Sequence, residues 1–187
     1  MFIQTEATPN PATLKFIPGR PVLDQGTLEF LDPTESIASP LAARLFEIDG
    51  VKGVFFGTDF ISVTKGDGEW QHLKPAILGA IMEYYLSGEA VTEGEETGSE
   101  SSPGGEFFAP RDEETVKTIK ELLETRVRPA VAQDGGDITF QGYRDGVVFL
   151  HMRGACSGCP SSTATLRHGI ENLLRHFIPE VQEVRPV

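Results

Sequence analysis

DGGDITFQGYRDGVVFLHMRGACSGCPSS, residues 134–162, decides the fold of the C-terminal half of the chain. Asp134-Gly135-Gly136-Asp137 reads as a turn into a strand over Ile138–Tyr143. Arg144-Asp145-Gly146 returns the chain into Val147–Met152, because an Asp-Gly pair supplies the backbone angles of a tight hairpin. A glycine-flanked loop with Cys156 and Cys159 comes next, and Pro160 suits the first position of a helix running to about Phe177. Leu166, Ile170, Leu173, Leu174 and Phe177 fall on one face of that helix. Pro179-Glu180 ends it, and Val181–Val184 forms a last strand. Upstream, a helix is expected from Asp112 to Val131, with Val116, Ile119, Leu123, Val127 and Ala130 as its apolar stripe. Pro129 should kink or loosen its last turn. The order is αββα(β), a small sheet packed on two helices.

Cys156 and Cys159 are the only cysteines of the chain. Closed zinc–thiolate sites and common iron–sulfur clusters need four protein ligands, usually thiolates. One chain supplies half of such a set, so a metal site here needs a second copy or a partner, and a two-fold contact would bring two equivalent loops together. A disulfide across two intervening residues would constrain the unfolded chain very little. A thioredoxin-like pair lacks the fold that should come after it. Zinc, a cluster and a dithiol redox pair remain open from spacing alone. The local chemistry predicts exposed, ionisable thiols: Gly154 and Gly158 allow tight bends, Cys159 would sit at the N-cap ahead of Pro160, and Arg153 adds positive charge.

Residues 1–87 read as a separate α+β domain in the order βββαββα. Strand-like runs at Phe2–Thr8, Thr13–Ile17 and Thr27–Leu31 are divided by Pro-containing turns. Ser39-Pro40 starts a helix with Leu41, Leu45 and Ile48 on its apolar side. Val51–Phe56 and Phe60–Thr64 form a hairpin about Gly57-Thr58-Asp59. A second helix runs from about Leu73 to Leu86, with Ile77, Ile81, Tyr84 and Tyr85 inward. Of the net charge of −12, residues 1–87 carry −5, residues 88–110 carry −6 and residues 111–187 carry −1. The acidic, Gly- and Ser-rich middle segment, 88–110, therefore reads as a flexible linker spanning about 25 Å. Phe107-Phe108 at its end would anchor it on the second domain, residues 111–187.

No apolar run is long enough to cross a bilayer, and the acidic balance excludes non-specific nucleic-acid binding. Met1-Phe2-Ile3-Gln4-Thr5-Glu6 shows neither a signal nor a transit pattern, and two cysteines in one reactive motif suit a reducing compartment. The expected location is the cytoplasm of a bacterium. His72, His151, His168 and His176 stand at no ligand spacing from the cysteines, and Asp134 and Asp137 read as turn residues rather than an acid pair. No catalytic constellation is evident, so the chain is expected not to be an enzyme.

Arg128-Pro129, Asp134-Gly135-Gly136-Asp137, Leu150 through Ser162, Thr165-Leu166, Gly169-Ile170-Glu171 and Pro179-Glu180-Val181 resemble the Nfu family, whose cysteine-bearing module is similar to the C-terminal domain of the NifU scaffold. Phe2 through Pro11 and Leu14-Lys15-Phe16 are similar to the family's N-terminal module. The resemblance implies an iron–sulfur scaffold and carrier holding a [4Fe–4S] cluster between two subunits through Cys156 and Cys159. It implies a homodimer on cluster binding, an upstream cluster donor and apo-protein acceptors. The arrangement resembles the mitochondrial type in a leaderless form. A dithiol oxidoreductase, or a thiol-based interaction module using the same pair, is the alternative.

Overall fold

Two separate stretches of alternating apolar pattern give two hydrophobic cores, and the chain divides accordingly into compact units, Met1–Ser99 and Glu100–Val187. The computed structural model describes residues 2–89, 106–156 and 160–187, with backbone alone for 160–163. Both units combine a sheet with helices, so the fold is α+β.

In the first unit, β1 (Gln4–Ala7), β2 (Thr13–Ile17), β3 (Leu28–Phe30), β4 (Val51–Phe56) and β5 (Ile61–Lys65) form one antiparallel sheet in the order β1-β2-β5-β4-β3. Helix α1 (Pro40–Phe46) starts where Ser39 accepts the Ala42 N–H on its hydroxyl, at 3.3 Å. Helix α2 (Trp70–Ser87) begins earlier than its apolar stripe suggests, and the Trp70 indole N–H donates to the Pro11 carbonyl at 3.1 Å. Phe16, Phe56, Leu41, Leu45, Ile61, Ile77, Ile81 and Tyr84 fill the core between sheet and helices. Tyr85 is only half-buried, and its hydroxyl donates to the Pro21 carbonyl at 3.2 Å. Strand β1 is shorter than its apolar run, with Phe2 exposed.

In the second unit, a 3-10 turn at Pro110–Asp112 leads into α3 (Glu113–Leu122). The helix then widens into a π turn at Leu123–Val127 before α4 (Arg128–Gln133). The Arg128 N–H donates to the Leu123 carbonyl, five residues back. Pro129 explains this widening, because its ring crowds the carbonyl four residues earlier and it has no N–H to offer. The extra residue in the turn rotates α4 about its axis, so Val131 is buried while Ala130, expected in the apolar stripe, is exposed.

Strand β6 (Gly136–Arg144) pairs antiparallel with β7 (Val147–Gly154), and β8 (Glu183–Pro186) adds parallel to β7. Asp145 (φ 50°) and Gly146 (φ 80°) make the tight turn between β6 and β7. Helix α5 (Pro160–Phe177) buries Ile170 and Leu174 against the sheet, but Phe177 lies 46% exposed with the Arg126 guanidinium 5.2 Å from its ring. β8 starts two residues later than the apolar run suggests, because Val181 is spent on the core ahead of it.

Both described ends of the acidic segment belong to their units. The Glu89 carboxylate pairs with Arg44, and its carbonyl accepts from the Tyr84 hydroxyl at 2.7 Å. Glu106 pairs with Lys120. Phe107 lies beside a bulge in β6, donating its N–H to the Gln141 carbonyl and accepting from the Tyr143 N–H at 2.9 Å. Its ring occupies the space that a side chain at Gly142 would need and stands 5.1 Å from the Phe149 ring.

Candidate metal centre

The register of β6 on β7 sets the site. Gly136 pairs with Gly154, so the Asp-Gly-Gly-Asp stretch lies beside the loop that leaves β7. Gly154 turns that loop with φ 65°, and the Ala155 N–H donates to the Gly135 carbonyl at 3.2 Å. Gly135 itself has φ 78°, a conformation in which a side chain would be strained. The two motifs that stand apart in sequence thus form one structural unit.

Cys156 packs down onto this unit. A Cβ built at Gly136 would lie 2.8 Å from the Cys156 Sγ and 2.7 Å from the Arg153 carbonyl oxygen. The missing side chain at Gly136 is what makes room for the thiol. Cys156 is only 6% exposed and belongs to the same apolar cluster as Ile138, Met152, Ile170 and Leu174. The expectation of an exposed thiol is therefore corrected for Cys156, because a glycine on the neighbouring strand opens a slot for it. Ser157, Gly158 and Cys159 lie outside the described residues, and with them the expected helix cap.

Asp137 is not a turn residue. It stands in β6, 3% exposed, and receives two hydrogen bonds from one guanidinium: Arg128 Nε at 2.9 Å and Arg128 Nη2 at 3.0 Å. Its Oδ1 also accepts the Ile138 N–H at 2.8 Å. On its other side Arg128 reaches Glu124 across the π turn, at 2.6 Å. The hydrogen bonds that it donates to Asp137 hold the Arg128 guanidinium even more firmly protonated than usual, against the opposing effect of burial. Asp134 is exposed after α4, so the two acids have different fates and form no pair.

His151 lies on β7 with Nδ1 3.3 Å from the Val187 carbonyl oxygen. Among the described residues, no group of three or more His, Cys, Asp or Glu side chains gathers in a way that could hold a metal ion. The sequence reading missed Gly136 as the seat of the thiol and Arg128 as the partner of Asp137. Nothing local in the sequence singles out Arg128 from the neighbouring Arg126 as the partner of Asp137.

Comparison with known proteins settles the family. The description "Scaffold protein Nfu/NifU N terminal" matches residues 3–88, and "NifU-like domain" matches residues 119–185. The human protein named "NFU1 iron-sulfur cluster scaffold homolog, mitochondrial" is 50% identical over 189 residues, covering 100% of this chain and 72% of its own length. The chain belongs to the Nfu/NifU iron–sulfur cluster scaffold family. Another relative, "NifU-like protein 4, mitochondrial" from Arabidopsis thaliana, is 49% identical over 98% of this chain and 65% of its own length. A solved NifU-like protein from Saccharomyces cerevisiae matches 51% of this chain and 87% of its own, with 26% identity and a TM-score of 0.42.

One expectation falls on this comparison. These Nfu/NifU relatives are named mitochondrial, which overturns the assignment to a bacterial cytoplasm. That assignment rested on the first few residues and on a cysteine pair that suits a reducing compartment, and neither feature is peculiar to a bacterial cytoplasm. No described helix is long and apolar enough to cross a membrane.

Proposed function

We propose that this Nfu/NifU chain carries a [4Fe–4S] cluster as cargo, held by Cys156 and Cys159 of two copies, and passes it to apo-proteins without turnover chemistry of its own. The observation that carries the reading is the ligand count: two cysteines in the whole chain, both in one motif whose Cys156 packs against Gly136. Four thiolates complete a cluster of this type, so two chains are needed. A cargo site split between subunits releases its contents by ligand exchange, acceptor thiolates replacing Cys156 and Cys159 in turn.

The same proposal divides the chain into a first domain over 1–87, a joining segment over 88–110 and a second domain over 111–187. The contacts of Glu89 and of Glu106 and Phe107 favour moving the boundaries of the joining segment inward at both ends. Its partners would be a second copy, an upstream donor and apo iron–sulfur proteins. Anaerobic reconstitution followed by iron, sulfide and mass determination tests it. A brown dimer is the expected product; a colourless protein with a reversible Cys156–Cys159 disulfide would favour the dithiol alternative instead.

A further inference from the structure

We infer that the Arg128–Asp137 ion pair is the positioning device for the Cys156 thiol. The inference deepens the proposed cargo site by naming what holds one of its sulfurs in place. Cys156 Sγ lies 2.8 Å from where a Cβ at Gly136 would stand, so the thiol is only as well placed as the backbone at the start of β6. Among the contacts that hold that backbone, three bear on the cysteine. Gly136 pairs with Gly154, the Gly135 carbonyl accepts the Ala155 N–H, and Asp137 is clamped by both Arg128 Nε and Arg128 Nη2.

The first two of these contacts join β6 to the cysteine loop itself and would move with it. The third is a side-chain tie from β6 to the helical layer, added to the backbone bond that the Gly135 N–H makes to the Ala132 carbonyl at 3.0 Å, and together they tie the pair of motifs to the rest of the unit. Arg128 is aimed by the π turn that ends at Val127 and is steadied by Glu124. A bidentate guanidinium–carboxylate contact fixes orientation as well as distance, which a lysine cannot do. Arg128 and Asp137 therefore act on Cys156 through the strand between them, without touching the cargo.

The test reads the thiol directly and needs no cluster. In the full chain carrying Cys159→Ser, the only remaining thiol is Cys156, and its alkylation by iodoacetamide under native conditions reports its placement. Arg128→Met combined with Asp137→Leu removes both charges together and leaves no orphaned carboxylate, so the unit should still fold. This variant should alkylate at least about tenfold faster, the behaviour of a segment whose local opening has become easier. Arg128→Lys should fall between it and the parent. Ile119→Val, a core change in the same unit, serves as the control for general loosening and should leave the rate near the parent value.

Equal alkylation rates for the double variant and the parent, both folded by circular dichroism, would overturn the inference. So would an equal acceleration by Ile119→Val at matched stability. Should the reconstituted chain bind no cluster, the cargo proposal fails while the alkylation result still decides the positioning role.

Discussion

At the scale of single residues, the site depends on one absent side chain and one buried charge pair. Gly136→Ala would place a methyl 2.7 Å from the Arg153 carbonyl oxygen and 2.8 Å from Cys156 Sγ, and backbone cannot yield as a flexible side chain can. The expected cost is about 2–3 kcal/mol of stability in the second unit, typical of overpacking against fixed atoms, with displacement of the thiol and poor iron retention. Urea unfolding and iron content after reconstitution measure the two effects; unchanged values for both would remove Gly136 as the seat of Cys156. Arg128→Met alone leaves Asp137 buried without its guanidinium and should cost about 2–4 kcal/mol, toward the lower end for a broken buried pair because Arg128 remains partly exposed. Neither role was legible in the sequence. A Gly-Gly pair between two acids reads equally well as a plain turn, and nothing local tells a buried aspartate from an exposed one. The difference lies in the register of β6 on β7 and in a helix whose phase is shifted by a π turn.

At the scale of elements, the sequence was most informative where a local signal and a tertiary need coincide. Ser39-Pro40 caps α1 as its residue types predict, and Asp145-Gly146 closes the β6–β7 hairpin in the same way. The misjudged positions, Ala130, Tyr85 and Phe177, lie near the ends of helices or beyond the π turn, where a steady 3.6-residue period no longer reports the buried side. The hairpin turn gives a sharp test. Gly146 has φ 80°, and a Cβ there would meet the Glu180 carbonyl oxygen at 2.8 Å. Gly146→Ala should therefore lower the melting temperature of the second unit markedly, whereas Gly26→Ala, at a similar φ with open space around it, carries only the backbone strain. Helix α2 offers a pH test of the first unit. Burial pushes the Tyr84 phenol up to about 12, with Tyr85 and Glu89 adding to the effect, from an ordinary value of 10.0. A raised pKa in the folded state means the stabilising contribution is complete below about pH 10 and is lost as pH rises toward 12. The urea midpoint of the first unit should fall between these values. Tyr84→Phe should flatten that fall while costing about 1 kcal/mol at neutral pH for the lost bond to the Glu89 carbonyl.

At the scale of the whole molecule, the proposed reading assigns the cargo site to the second unit, since both cysteines lie there and residues 1–87 contain none. The acidic, Gly- and Ser-rich composition of residues 88–106 predicts that limited proteolysis cuts there first and releases two folded pieces, the C-terminal piece still able to take up iron and sulfide. On the reading that the first unit captures acceptors, deleting residues 1–87 should leave assembly intact but slow transfer to dilute acceptors, because a captured acceptor would be held near the cluster at an effective concentration of about millimolar order. Equal transfer rates with and without the first unit, across several dilute acceptors, would assign that unit to stability or regulation instead. The central claim is that one chain holds half a site, and the most direct measurement is iron, sulfide and mass on the same anaerobically reconstituted sample. About four iron and four sulfide ions per two chains are expected in a dimer, and both the cluster and the dimer should be lost on changing Cys156 or Cys159 to Ala. A stable cluster on a monomer, with no external thiol bound, would contradict it.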